Sequence, residues 1–353
     1  MKAMVLAAGY GTRFRPITYR LPKPLIPLCN RPLIGWALDS LEAAGALEVV
    51  VNLHHLSDPL AAWIEQEIKG RLPVHFSHEE KILGTGGGIR RARRWLESDE
   101  GFFVVNADTF QQPPLRELER RRREEGALAA LLLRHPPASD RFTPVGFDGH
   151  RVTGIGEVPE GSEAVMFAGS HTTSSRIFTW IPDRDFSGIT EDVYLPLIRS
   201  NQERIAGLID DGLWFDVGTP LRYLEASAAI RERMISGAML PPAGSRISDS
   251  SLVDDRAEIA GSITASVVGS QTRIAAGGSV AGSILWDRVE IPTGARVESS
   301  LIAHDAKLPP SAQLRNVLVC LSAGLPGNEG FEVRDGLAIV PLDPSSPHMF
   351  RTG

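Results

Sequence analysis

The first residues with types and spacing suited to chemistry stand near the start of the chain. Gly9-Tyr-Gly11-Thr12-Arg13 follows directly on an apolar run, and Lys23 comes soon after, set between Pro22 and Pro24. Gly9 and Gly11 let a backbone turn tightly and approach a ligand without a Cβ in the way. Successive N–H groups in such a turn make a concavity for an anion. Arg13 and Lys23 add cations within one loop, and Pro16, Pro22, Pro24 and Pro27 stiffen it. Transfer between phosphates asks mainly for positioning and charge neutralisation, which a stiff cationic loop supplies. A surface loop that happened to be basic would explain the charges but not the prolines around Lys23.

The elements that must hold this loop alternate. Short apolar strands are expected at Ala3–Leu6, Val49–Asn52, Val74–Ser77, Phe102–Asn106 and Ala129–Leu133, with helices near Leu33–Ala44, Pro59–Ile68, Ile89–Leu96 and Leu115–Glu125. That rhythm predicts an α/β domain with a Rossmann-like, mostly parallel sheet covered on both faces. Ligands of such sheets sit beyond the carboxyl ends of the strands. Gly9-Tyr-Gly11 and Asn106-Ala-Asp108 both fall there and are expected to face one cleft.

After Pro241-Pro242 the texture changes. Aliphatic residues recur about every six positions: Ile247, Val253, Ile259; Val268, Ile274, Val280; Leu285, Ile291, Val297; Ile302, Leu308, Leu314. Three steps make a turn of roughly 17 residues, the hexapeptide signature of a left-handed parallel β-helix. The expected organisation is a first domain over residues 1–236, a β-helix over 243–320 and a Pro- and Gly-rich tail or arm over 321–353.

Several classes are disfavoured. With a formal charge of −6 over 353 residues, the chain has no bulk attraction for nucleic acid or an anionic membrane. The basic runs IRRARRW and ELERRRREEG lie on expected helices, where solvated faces are the ordinary outcome. Cys29 and Cys320 form no CxxC, so neither a disulfide framework nor a zinc site is indicated. No apolar run reaches transmembrane length and the opening residues do not read as a signal peptide, so a cytoplasmic location is expected. There is no Walker lysine motif, and the glycine turn lacks the last glycine of a dinucleotide fingerprint. His54 and His55 are adjacent on an expected strand and would point to opposite faces, which favours a loop or packing role over a metal pair.

The stretch LAAGYGTRFRPIT…LPKPLIPL resembles the signature loop of the sugar-1-phosphate nucleotidyltransferases, the nucleotide-sugar pyrophosphorylases. Further segments resemble that family in order: LGTGGGI its nucleobase-recognition loop, VNADT its strand-end aspartate motif, and WFDVGTP the late motif with a second carboxylate. FAGSHTTSSRIF and ITEDVYLPLI resemble its sugar-side segments. The resemblance implies that a sugar-1-phosphate attacks the α-phosphate of a nucleoside triphosphate in line and displaces pyrophosphate, supplying activated sugar for cell-envelope glycans. It implies Arg13 and Lys23 as catalytic, Ala7, Ala8, Gly9, Gly11, Thr12, Gly84 and Thr85 as nucleotide contacts, and Asn106, Gly146, Glu157, Gly169 and Glu191 as sugar contacts. Asp108 and Asp216 would hold Mg²⁺, although an aspartate at a strand end also commonly caps a helix.

The pattern departs from the family in places. GEVPEG keeps Glu157 but has Val158 where many members carry lysine, so sugar-phosphate affinity would rest on Lys23 and on Arg176 or another cation. The loops resemble most the branch holding N-acetylmuramate-1-phosphate uridylyltransferase and mannose- or heptose-1-phosphate guanylyltransferases, which leaves base and sugar open. A non-catalytic regulatory subunit would have lost Arg13, Lys23 or the aspartates, and all are present. A second, acyltransferase activity would have His304 as its base, but no long inserted loop offers a coenzyme A site. The β-helix is therefore expected to be a scaffold that forms a homo-oligomer.

Overall fold

The computed structural model describes residues 1–137, 142–326, 331–343 and 349–351, with Phe350 and Arg351 as backbone only. The chain forms two compact units that do not follow chain order. One comprises Met1–Tyr10 with Leu33–Phe215, and the other Gly11–Pro32 with Asp216–Gly353.

The first unit is built on a sheet whose centre is the strand Lys2–Leu6. Glu48–Leu53 and Phe102–Asn106 flank it, both parallel, and Val74–His78 extends the sheet beyond Glu48–Leu53. These strands are short, apolar and buried, as strands covered on both faces must be. On the other side the long strand Glu163–Thr173 enters antiparallel and pairs with Phe102–Asn106, Ala129–Arg134 and Val145–Phe147. Ile205–Ile209 then runs parallel to Ala129–Arg134. Helices Leu33–Ala43, Ser57–Glu67 and Leu115–Glu124 match the expected ones to within a turn. An apolar core of this unit joins Met4, Val50, Phe102, Val104, Leu131 and Tyr194.

One expected boundary is corrected. Helix was expected from Ile89, with the glycines before it in a loop, yet the helix begins at Gly84 and runs through all of them to Arg91. Glycine is a poor helix former, so packing must require it here. A Cβ at Gly84 would lie 2.5 Å from the Ser187 carbonyl oxygen, and one at Gly86 would lie 2.9 Å from Ser187 Oγ.

In the second unit the hexapeptide repeat forms a parallel β-helix. Its strands stack in register one coil apart: Val267 beside Ile284, Arg273 beside Glu290, Val280 beside Val297. Val253, Val268, Leu285, Ile302 and Val319 point inward from one face, and Ile274, Ile291 and Leu308 from another. Ile247 is the exception to the expected triads. It belongs to Ser245–Ser248, which pairs antiparallel with Ser251–Asp254, so it precedes the prism and is not its first inward position. After Val317–Leu321 the chain turns back: Leu337–Pro341 pairs antiparallel with that strand, and Leu337 and Ile339 join the prism core. Stretches 327–330, 344–348 and 352–353 of the expected tail lie outside the described residues.

Candidate active site

In the first unit, Leu6 is level with Asn52 on one neighbouring strand and Asn106 on the other. The three strand ends form a row of carboxyl termini, where the glycine turn begins. Asn52 Oδ1 accepts the Ala7 N–H at 2.7 Å, and Asn52 Nδ2 donates to Glu79 Oε1 at 2.7 Å. Glu79 Oε2 in turn accepts the Leu83 N–H at 3.0 Å, just before the glycine helix. Asn52 and Glu79 are both buried, so this chain of bonds fixes the turn and the helix start in a low-dielectric setting. Ala7 therefore spends its N–H on Asn52 and offers none to a phosphate. By contrast, no backbone carbonyl among the described residues takes the N–H of Gly9, Gly11 or Thr12.

The glycine helix is clamped to the segment that carries Glu191. Gly86 and Gly87 donate to the Ser187 carbonyl at 2.8 and 3.1 Å, and Thr85 Oγ1 accepts the Ile189 N–H at 2.8 Å. Thr190–Tyr194 forms a single π-helical turn, a distortion frequent at functional sites. A cavity of about 1030 Å³ opens beside these elements, lined by Gly84, Thr85, Asn106, Gly169, His171 and Glu191 among others. Small-ligand pockets commonly span about 300–1,000 Å³, so this one has room for more than a single small group. Gly169 sits at φ 95°, and a Cβ there would lie 2.7 Å from Asn106 Nδ2, which is why the strand carries glycine at this point.

The cavity thus collects Gly84 and Thr85 from the expected nucleotide contacts and Asn106, Gly169 and Glu191 from the expected sugar contacts. Gly146 and Glu157 are not among its lining residues: Gly146 lies within Val145–Phe147, and Glu157 pairs on the surface with Arg199 at 3.3 Å. Arg176 is likewise engaged elsewhere, 3.2 Å from Glu203. The cation at the cavity is Arg184, ion-paired with Asp192. Sequence reading missed Arg184, Asn52 and Glu79. Asn52, a lone amide closing the apolar run VVVN, was the one visible signal. His54 and His55 lie in the turn after Glu48–Leu53 and not on the strand, and both rings pack near Tyr10 in place of facing opposite ways; His54 Nδ1 lies 2.8 Å from the Glu79 carbonyl and its Nε2 3.1 Å from Tyr10 Oη.

In the second unit, the cationic loop folds as short 3₁₀ turns at Thr12–Phe14, Ile17–Tyr19 and Lys23–Leu25. Thr18 Oγ1 donates to the Gly11 carbonyl at 2.8 Å, and Gly11 packs so closely that a Cβ would meet Lys23 Cβ at 3.0 Å. Lys23 is only 6% exposed, whereas the Arg13 side chain is 60% exposed. Asp216 Oδ2 accepts from Arg222 Nη1 at 2.6 Å and lies 3.9 Å from Arg13 Nη1. Cys29 and Cys320 are buried thiols, and burial pushes that of Cys29 up to about 12, which removes it as a nucleophile.

Asp108 and Asp216 fit Mg²⁺ in their chemistry, both being hard oxygen donors. Asp108 is partly exposed in the turn after Phe102–Asn106, and Asp216 is partly exposed with its Oδ2 taken by Arg222. Among the described residues no group of three or more His, Cys, Asp or Glu is arranged to hold an ion.

The first unit is thus a Rossmann-like α/β sheet with polar residues at the carboxyl ends of its central strands, and comparison with known proteins identifies its family. The family model described as Nucleotidyl transferase matches residues 2–233, and the chain belongs to that family. A model described as GlmU-like, C-terminal hexapeptide, matches residues 244–328. Mannose-1-phosphate guanyltransferases of Hypocrea jecorina and Emericella nidulans are 30% and 31% identical over 247 and 246 residues, covering 64% of this chain and 63% and 62% of theirs. The mannose-1-phosphate guanyltransferase beta-A of Xenopus laevis is 29% identical over 232 residues, with 64% of this chain and 63% of its own covered. The chain thus spans somewhat under two thirds of the length of the curated relatives it matches. The crystal structure of HddC from Yersinia pseudotuberculosis shares the fold, with a TM-score of 0.53 at 21% identity over 65% of this chain and 99% of that one.

Proposed function

We propose that this protein transfers a nucleotidyl group from a nucleoside triphosphate to a sugar-1-phosphate and releases pyrophosphate. The observation that carries this reading is that one cavity of the first unit brings nucleotide-side Gly84 and Thr85 together with sugar-side Asn106, Gly169 and Glu191. The names of the relatives make guanosine triphosphate and mannose-1-phosphate the first pair to try.

The attacking phosphate oxygen is already anionic, so the reaction needs no general base. The unspent N–H groups of Gly9, Gly11 and Thr12, with the exposed guanidinium of Arg13, are suited to the leaving pyrophosphate. Lys23, held rigidly by its prolines, is suited to the α-phosphate and the incoming phosphate. Asp108 and Asp216 would hold Mg²⁺, which when bound neutralises charge developing on the phosphates. A cytoplasmic location and assembly of copies through the prism belong to the same proposal. No helix among the described residues is long and apolar enough to cross a membrane.

The test is a pyrophosphate-release screen of the ribonucleoside triphosphates and dTTP against a set of sugar-1-phosphates. One strongly preferred pair is expected. Hydrolysis of the triphosphate at a rate indifferent to every sugar phosphate would refute the reading.

A further inference from the structure

His171 is the one group of the cavity whose chemistry is unaccounted for. It stands on Glu163–Thr173, two residues beyond Gly169, with its backbone level with Val104 on one neighbouring strand and Leu131 on the other. It lines the cavity, yet it is only 1% exposed, and neither Nδ1 nor Nε2 has a hydrogen-bond partner. The rings of Phe167 and Tyr194, with centroids at 5.8 and 5.6 Å, hold the imidazole in place without engaging its nitrogens. A buried polar atom left unsatisfied is costly, and native structures keep few of them. Burial also pushes the imidazole down to about 3, so the ring is neutral at every pH of interest.

We infer that His171 is a specificity-determining residue of this site, whose neutral imidazole hydrogen-bonds a ring hydroxyl of the sugar-1-phosphate. This rests on the function proposed above. A neutral imidazole offers one donor and one acceptor, and a sugar hydroxyl can answer either. It brings no charge, so it does not serve the phosphates. Its neighbours Asn106 and Gly169 are the expected sugar contacts, and Gly169 keeps that wall free of a side chain. A site built to bond a hydroxyl rejects analogues that lack it, because its own buried group is then left unpaired.

The test uses the full chain, His171→Phe and His171→Gln, with GTP and mannose-1-phosphate, or the pair preferred in the screen, together with each monodeoxy analogue of that sugar. His171→Phe should raise the sugar-phosphate KM about tenfold, the worth of one neutral hydrogen bond. For one monodeoxy analogue alone, wild type and variant should coincide, and His171→Gln should fall between. An equal loss on every analogue would mean a packing role, and no loss would mean that water alone satisfies the ring; either overturns the inference. Should His171→Phe fail to fold, imidazole ¹⁵N spectra of the wild type decide, with the signal assigned through His171→Gln. Addition of the sugar-1-phosphate should move the His171 resonances, and unmoved resonances under saturating ligand would overturn it. A wild type inactive with every sugar phosphate whose His171 resonances still respond would fault the proposed reaction and leave the sugar contact standing.

Discussion

Arg13 and Lys23 share one loop but not one environment, and their removal should not look alike. The guanidinium of Arg13 is exposed beside Asp216, while Lys23 is buried between two prolines. Arg13→Ala is expected to lower kcat by about 10²–10³, the usual loss for a preorganised transition-state donor, with little change in sugar-phosphate KM. Lys23→Ala should lower kcat and also raise that KM. Steady-state kinetics on both variants check the division, and identical profiles would refute it. At this scale the cationic loop and both aspartates could be proposed from the sequence because their types and order are local features of it. Arg184, Glu79 and His171 were not. Each matters through burial or through partners far along the chain, and a strand's alternation does not reveal which polar residue will face a cavity.

Among the elements, helix Leu115–Glu124 shows how a run of charge can be misread. ELERRRREEG was expected to form a solvated face, and Arg120 does pair at the surface with Glu117 and Glu124. Glu119 and Arg122, however, are buried and bonded at 2.8 Å, and Glu119 Oε2 also accepts from Thr172 Oγ1 at 2.6 Å. Burial alone would raise the Glu119 carboxyl, but hydrogen bonds from Arg122, Arg123 and Thr172 outweigh it and hold the group below the usual range. A carboxyl lowered on folding adds stability above its unfolded value, near 4.5, and loses it as pH falls through the folded value. Glu119→Gln should therefore cost about 3 kcal/mol at pH 7, since it strands the buried guanidinium of Arg122. Denaturant melts at several pH values should show that cost shrinking below about pH 4.5. A pH-independent difference would contradict the assignment. Elements with strong periodicity, such as the central strands and the prism, were legible for the same reason that they are stable: their apolar spacing is the packing. The helical state of the glycines at 84–88 was not legible, because intrinsic propensity opposes it and the close approach of Ser187, Leu83, Asn52 and Glu79, distant or hidden in the sequence, favours glycine there.

For the whole molecule, the expected first domain over residues 1–236 meets a different grouping. The loop Gly11–Pro32, with Arg13 and Lys23, clusters with the prism. Asn30 Nδ2 donates to the Val268 carbonyl at 3.1 Å and to Ser245 Oγ at 3.2 Å. Tyr223, whose hydroxyl bonds the Pro27 carbonyl, accepts from Trp286 Nε1 at 2.8 Å. Truncation after Ser236 removes Ser245, Val268 and Trp286 together, so the cationic loop should lose its support and pyrophosphate release should fall by well over tenfold. Trp286→Phe in the full chain removes one hydrogen bond from this set and should cost about 1 kcal/mol, seen as a lower Tm with activity retained. A truncated chain as active as the whole would show the prism to be dispensable.

The central claim, that a sugar phosphate attacks the α-phosphate of the nucleotide, is tested most directly by following oxygen. Sugar-1-phosphate labelled with ¹⁸O on its phosphate is turned over with unlabelled triphosphate, and both products are analysed by mass spectrometry. The account predicts that all the label appears in the nucleotide sugar and none in pyrophosphate. Label in pyrophosphate, or an unlabelled nucleoside monophosphate formed in place of the nucleotide sugar, would contradict it.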